Sequence, residues 1–539
     1  VHAVYSFLTF NEVDDYKYTI IISKDCERIE ITTKEKVPPL PPTNLKITKS
    51  SKPWKIYLRM LGTVLPAFFL MYTSLFVIWG IIELDSILTL AAGFCSLPLV
   101  VLLFRIHRPK LVHVRLASPD PSGSEIHALT EGGSLRTPIK TTFQRFLVKD
   151  DSILDMPPSR QLWALFFLTI SIGVSITFLF FENATESVGI AIFILLAIPL
   201  WLIGFSLPVL AWWGTSTSFI GVATRRREAE AWLIAGMASA FPAFIFNSLI
   251  APEITPSEFP IWISEMALLS FWAPLCEEIF KALAVALFIP TIKGPKKGFQ
   301  VGFTVGLGFA LIENFQYIGF SLLGGPLSIT LTILVRGIGS IPGHAVWTAI
   351  SGTAIGWMAS DGEFRARMTW RAKNLGISAV DIAEGFGFDA DGDGDLSGYD
   401  GERQTLDAAI TDAISEKSEV DDSWLLADRN GQEINHSRIS SILGKEELEN
   451  VFSFPKDNPG LISYLTPKKI SRAIPLSIAG HSFWNGSSYL SSVAPGKWFG
   501  IGDVGSAYIS FSWTIILITT VLIIARRMMR GVISLDSTF

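Results

Sequence analysis

The chain has 539 residues, a formal net charge of −5, 49% hydrophobic residues, 17% charged residues and a mean hydropathy of +0.41. Such a composition excludes an ordinary soluble globular protein and predicts an all-α polytopic membrane protein with the lipid bilayer as its surrounding. It also lacks the basic balance of a nucleic-acid binder, so no nucleic acid is expected as a partner.

No basic-then-apolar leader opens the sequence, which predicts no signal peptide. Residues 1–50 read as a small soluble segment. The β-branched runs YKYTIIIS and RIEITT predict a strand pair there, and VPPLPPT (Val37–Thr43) reads as an extended linker. About ten apolar runs follow, each long enough to span a bilayer. Five fall in residues 51–250: Tyr57–Ile82, Ile87–Phe104, Leu162–Phe181, Val188–Trp213 and Ala231–Ile250. Three more are Ile261–Ile289, Phe299–Leu323 and Leu327–Ala359. The ninth is Ile470–Leu490, and Ile509–Ala525 (residues 509–525) is the last. Pro342 and Pro475 fall inside the eighth and ninth, where kinks are expected. The three cysteines, Cys26, Cys95 and Cys276, lie too far apart for a disulfide framework or a Cys-based zinc site.

Loop charge tests the count. Lys52, Lys55 and Arg59 precede the first span, and Arg105, Arg108 and Lys110 follow the second. Arg225, Arg226 and Arg227 follow the fourth, and Lys293, Lys296 and Lys297 the sixth. Arg365, Arg367 and Arg371 follow the eighth, and Arg526, Arg527 and Arg530 the tenth. With ten spans every basic loop falls on one side. The positive-inside rule makes that side the cytoplasm and places both termini there. The expected location is the cell membrane, with many passes.

Two insertions then face the cytoplasm. The polar loop at 106–160 carries no motif. The insertion at 360–469 holds helical runs, TWRAKNLG and TLDAAITDAISEK, and reads as a small α-rich domain. Its loop at 389–400 places Asp389, Asp391, Asp393, Asp395, Ser397 and Asp400 at positions 1, 3, 5, 7, 9 and 12 of an EF-hand-like pattern, with Gly394 at 6. Aspartate at position 12, where EF-hands place a bidentate glutamate, makes it more like a dockerin-type repeat. Five carboxylates in twelve residues repel one another without a cation, so Ca²⁺ is the expected ligand.

Chemistry concentrates in four consecutive spans. Glu277, Glu278 and Lys281 lie near the middle of the sixth, and Glu313 and Asn314 within the seventh. Arg336 and His344 belong to the eighth, and His481 and Asn485 to the ninth. Each ionisable group inside a bilayer costs about 2.5–3.5 kcal/mol, so such groups face a bundle interior and mark a working site. Glu277 and Lys281, four apart, share a helix face; so do His481 and Asn485. Gly302, Gly306 and Gly308 allow close helix packing. Taken singly, each His or Asn reads as interhelical glue and Arg336 as the counter-ion of Glu313. Three glutamates and two histidines at one depth are hard to explain as packing. They suit peptide hydrolysis, in which a carboxylate activates water and histidines stabilise an oxyanion or bind a metal such as zinc. The motif HExxH is absent, so spacing does not separate these chemistries.

The same residues resemble a known family. EEIFK (Glu277–Lys281) is similar to the EExxK motif of PrsW-type intramembrane proteases. FALIEN (Phe309–Asn314) is similar to their FxxxE motif, and GHAVW and GHSFWN to their later histidine motifs. HSFWN also matches the HxxxN motif of the related CAAX endopeptidases, but Lys281 and Glu313 depart from the CAAX pattern and favour PrsW. The resemblance covers Trp262–Tyr489 without the insertion, so the catalytic helices are expected within 261–359 and 470–490. It implies that Glu277 activates water and that Glu278 or Glu313 assists. His344 and His481 would stabilise the oxyanion or hold a metal, with Lys281, Asn314, Arg336 and Asn485 in support. It also implies a membrane-protein substrate, such as the anti-sigma factors associated with PrsW relatives. Two other classes fit mid-membrane Glu, His and Arg: an ion- or proton-coupled transporter, and a non-catalytic scaffold of the same superfamily. No internal repeat supports the first, and the presence of both glutamates and both histidines argues against the second.

Overall fold

The computed structural model describes residues 53–107, 111–128, 134–149, 154–183, 187–222, 224–388, 396–399, 401, 403–415, 426–427, 433–434, 466–533 and 535. The strand pair expected in 1–50 lies outside them. So do Asp389, Asp391, Asp393, Asp395 and Asp400 of the acidic loop, whereas Ser397 is described, in a bend.

The chain divides into two compact units. The first covers residues 1–50, 108–153 and 416–457. Its described elements are β1 (Leu111–Ala128) paired antiparallel with β2 (Ser134–Lys149), and the short pair β3 (Leu426–Ala427) and β4 (Glu433–Ile434). The hairpin runs from Leu111 opposite Lys149 to Ala128 opposite Ser134, with its register broken between Pro119 and Ser124. It occupies the loop in which the sequence showed no motif, and it adds strands to a chain expected to be all-α.

The second unit holds every described helix. In chain order these are α1 (Pro53–Ile82), α2 (Ser86–His107), α3 (Ser159–Asn183), α4 (Ser187–Ile220) and α5 (Arg226–Ile245). A π turn, Phe246–Ile250, leads into α6 (Ala251–Ile254). Next, α7 (Ile261–Ala267) continues through a π turn, Leu268–Trp272, into α8 (Ala273–Ala286). After α9 (Pro295–Ser321), α10 (Gly325–Val335) runs through a third π turn, Arg336–Ser340, into α11 (Ile341–Ala359). Then come α12 (Gly362–Gly385), which contains the expected run TWRAKNLG, and α13 (Leu406–Ser415), within the expected run TLDAAITDAISEK. Last are α14 (Ile470–Phe499) and α15 (Asp503–Ile533).

Seven stretches among the described residues are long and apolar enough to cross a membrane. One of them, Pro295–Ala359, is two rods: the chain turns at Gly325, whose φ of 79° favours glycine, and α11 packs back along α9. Two further long rods, α7–α8 and α14, fall outside the seven because they carry the charged and polar residues described below. The protein is thus an all-α, multi-pass membrane protein in its helical unit.

The three π turns share a sequence feature. In each, a proline follows two residues after the turn: Pro252, Pro274 and Pro342. Proline lacks an N–H, and its ring clashes with the carbonyl four residues back. Widening the preceding turn to i→i+5 bonding relieves that clash without ending the helix.

α9 is the central element. One glycine row, Gly298, Gly302 and Gly306, faces the backbone of α11, and Gly308 faces Leu233 and Gly236 of α5. A Cβ on Gly306 would stand 2.4 Å from the His344 carbonyl oxygen. Gly306→Val is therefore expected to push α11 away, costing about 1–3 kcal/mol or more and lowering any activity that depends on His344. A thermal melt matching wild type would refute this reading of the contact.

Candidate active site

Four rods bring the polar residues together: α7–α8, α9, α10–α11 and α14. Adjacent positions on α8 place Glu277 and Glu278 toward different neighbours, and Lys281 one turn later reaches both. The ammonium of Lys281 is fully buried. It donates to Glu278 Oε1 at 2.8 Å and lies 3.4 Å from Glu277 Oε2. It also lies 2.9 Å from His344 Nδ1 and 3.9 Å from the centre of the Phe309 ring.

Each histidine is backed by a carboxylate from another helix. His344 Nε2 is 2.5 Å from Glu313 Oε2, and His481 Nδ1 is 3.0 Å from Glu278 Oε1. A carboxylate is an acceptor only, so the shared proton sits on the ring nitrogen in each pair. The remaining nitrogens, His344 Nδ1 and His481 Nε2, then carry lone pairs. His481 Nε2 lies 3.9 Å from Glu277 Oε2, and the two rings meet edge to face at 4.9 Å. Glu277 is the least engaged carboxylate. Its hydrogen bonds are both long, at 3.4 Å, one from Lys281 and one from Asn247 Nδ2.

The supporting residues divide. Arg336, on the third π turn, pairs with Glu313 at 2.9 Å, donates from Nε to Asn314 Oδ1, and covers the Tyr317 ring at 4.1 Å. Arg336 and Asn314 therefore hold Glu313, which holds His344. Asn485, expected in support on the same helix face as His481, reaches elsewhere. It donates to the Leu269 carbonyl at 3.1 Å, tying α14 to the second π turn. The sequence reading did not single out Asn247; a lone amide inside the apolar run AFPAFIFNSLI was the available signal. A cavity of about 240 Å³ opens beside the cluster and is lined by Glu313, Arg336, His344 and His481 together with Trp347 and Trp484.

Residues 226–381 match a family model described as PrsW family intramembrane metalloprotease. The chain carries a PrsW-family domain. By this match it is a peptide hydrolase of the membrane, acting on membrane-embedded protein substrates. The match runs from the start of α5 into α12 and includes Glu277, Glu278, Lys281, Glu313 and His344. His481 and Asn485 lie beyond it on α14. Comparison with curated proteins gave no match, and comparison with solved structures gave none.

The residues of this PrsW-family site fit a metal. Glu277, His344 and His481 each offer one ligand atom, and these atoms lie within 4.8 Å of one another. Two imidazoles and a carboxylate form a donor set that catalytic zinc accepts. Among the described residues, three carboxyl groups, Glu277, Glu278 and Glu313, face two cationic side chains, Lys281 and Arg336. Glu278 Oε2 is buried without a hydrogen-bond partner. Both features suit an additional cation.

Proposed function

We propose that Glu277 is the general base of an intramembrane endopeptidase and that His344 and His481 are metal ligands. What supports this is the asymmetry among the three glutamates. Glu278 and Glu313 are committed to histidines and cations at 2.5–3.0 Å, whereas Glu277 has only long contacts. Glu277 takes a proton from the attacking water, whose oxygen bonds to the scissile carbonyl carbon. The C–N bond then breaks as Glu277 returns that proton to the leaving amine. Lone pairs on His344 Nδ1 and His481 Nε2 favour the ligand role over oxyanion donation. Glu278 and Glu313 fix the tautomers and orient the rings, as outer-shell carboxylates do. A metal held here supplies Lewis-acid polarisation of the scissile carbonyl. Lys281 also contacts His344 Nδ1, so metal and ammonium compete for that nitrogen.

All ten long rods cross the bilayer in this reading, which puts every basic loop and both termini in the cytoplasm. The substrate is a membrane protein cleaved in or near its span. The acidic loop at 389–400 binds Ca²⁺ in a structural or regulatory role. Calorimetry on the purified full-length chain is expected to give one calcium-binding event, and its absence removes that role.

The function is tested with a panel of single-span reporter proteins in lipid vesicles. Purified protein is expected to cleave at least one reporter, and a zinc chelator to abolish cleavage until Zn²⁺ is restored. Cleavage that survives the chelator would replace the metal reading with a purely glutamate-based one.

A further inference from the structure

A substrate lying in the bilayer has to reach a cavity set among packed helices. Two exposed side chains line the cavity, Tyr317 on α9 and Leu269 where α14 meets α7 and the second π turn. Leu269 lines the cavity and is also 41% exposed, so its side chain reaches from the cavity to the surface at this seam. Asn485 and Tyr489 line the cavity from the α14 side of the same seam.

Apart from the packing of Gly486 against Ser270 and Met266, few polar contacts hold this seam. Asn485 donates to the Leu269 carbonyl at 3.1 Å, and the Tyr489 hydroxyl donates to Glu265 Oε2 at 2.6 Å; both bonds are exposed. At the outer end Trp262 meets Trp498 edge-on at 5.5 Å. The α9–α11 contact is different in kind, because there glycines bring two backbones together. The seam also contains a π turn. Leu269 belongs to the Leu268–Trp272 π turn, which already departs from α-helical bonding and gives α7 a place to swing from α8.

We propose that this seam is the docking and access line for the membrane segment of the substrate, with Leu269 as its plug and the Tyr489–Glu265 bond as its latch. The proposal rests on the protease reading above. A segment unwound for cleavage has backbone groups that need partners away from water. Parting of the seam frees three such partners, Asn485, Tyr489 and the Leu269 carbonyl, in line with the cavity. The occupant is an extended, apolar stretch of a membrane-spanning chain.

The test is a reversible bolt. A Cβ on Gly486 would lie 3.1 Å from Ser270 Cβ, close to the 3.5–4.5 Å that a disulfide spans. Ser270→Cys with Gly486→Cys, in a chain whose Cys26 and Cys95 are serine, is expected to cleave a single-span reporter when reduced. Oxidation should cut the rate at least tenfold, and reductant should restore it. A second variant, Leu269→Ala, is expected to raise kcat/KM for the reporter two- to fivefold by removing the plug. An oxidised, fully cross-linked protein that cleaves at the reduced rate overturns the access line. If the double variant does not fold, an unchanged or lowered kcat/KM for Leu269→Ala overturns it instead. A wild-type chain that cleaves no reporter overturns the protease reading and, with it, this proposal.

Discussion

Glu277→Gln is expected to lower cleavage by at least 10²–10⁴-fold, the range a positioned general base contributes, while leaving a folded protein. Glutamine has nearly the shape of glutamate but no basic carboxylate. Folding should survive because the closest ion pairs of the site do not involve Glu277: Lys281 keeps Glu278 at 2.8 Å and Arg336 keeps Glu313 at 2.9 Å. The proposed metal ligands, His344 and His481, are untouched, so bound zinc, read by elemental analysis, should be retained. Cleavage within tenfold of wild type would sink the assignment, whatever the metal content.

Lys281→Met should have its largest effect on stability. The ammonium is wholly enclosed and is the only cation within contact of Glu278 among the described residues. Methionine fills much of the space but leaves Glu278 buried with His481 as its remaining partner. Breaking a buried pair from one side costs about 3–5 kcal/mol, because an uncompensated charge stays behind. Thermal melts in detergent should therefore show a clear fall in Tm. Adding Glu278→Gln to the same chain removes the stranded charge and should recover more than half of that fall. A single variant as stable as wild type, or a double variant no better than the single, would show that the Lys281–Glu278 pair is not what holds α8 in place.

The membrane character was legible in the sequence because a bilayer demands about twenty apolar residues per span. The candidate site was legible because ionisable groups inside such spans are costly and stay close to work or partners. Glu277, Glu278, Glu313, His344 and His481 stood out as a group on those grounds, although each histidine singly read as interhelical glue. The hairpin did not. Val112, Val114 and Leu116 alternate with His113 and Arg115, a period-two strand signal. Pro119 and Pro121 interrupt the run and broke the pattern. The three prolines that follow the π turns were visible too, but only Pro342 suggested a kink. That all three would yield π turns placing Asn247, Leu269 and Arg336 around one centre depended on how the rods pack.

Sequence by itself determined the chemistry available, its depth along each helix and the family to which residues 226–381 belong. Helical spacing is local: i and i+4 share a face wherever the helix sits. Tertiary structure decided the pairings. Glu278 backs His481, Glu313 backs His344, Asn485 serves the Leu269 carbonyl rather than His481, and Glu277 is left least engaged. Those choices depend on the rotation and approach of four helices about α9. Glycine rows and proline-induced π turns set that approach through contacts between residues far apart in the chain.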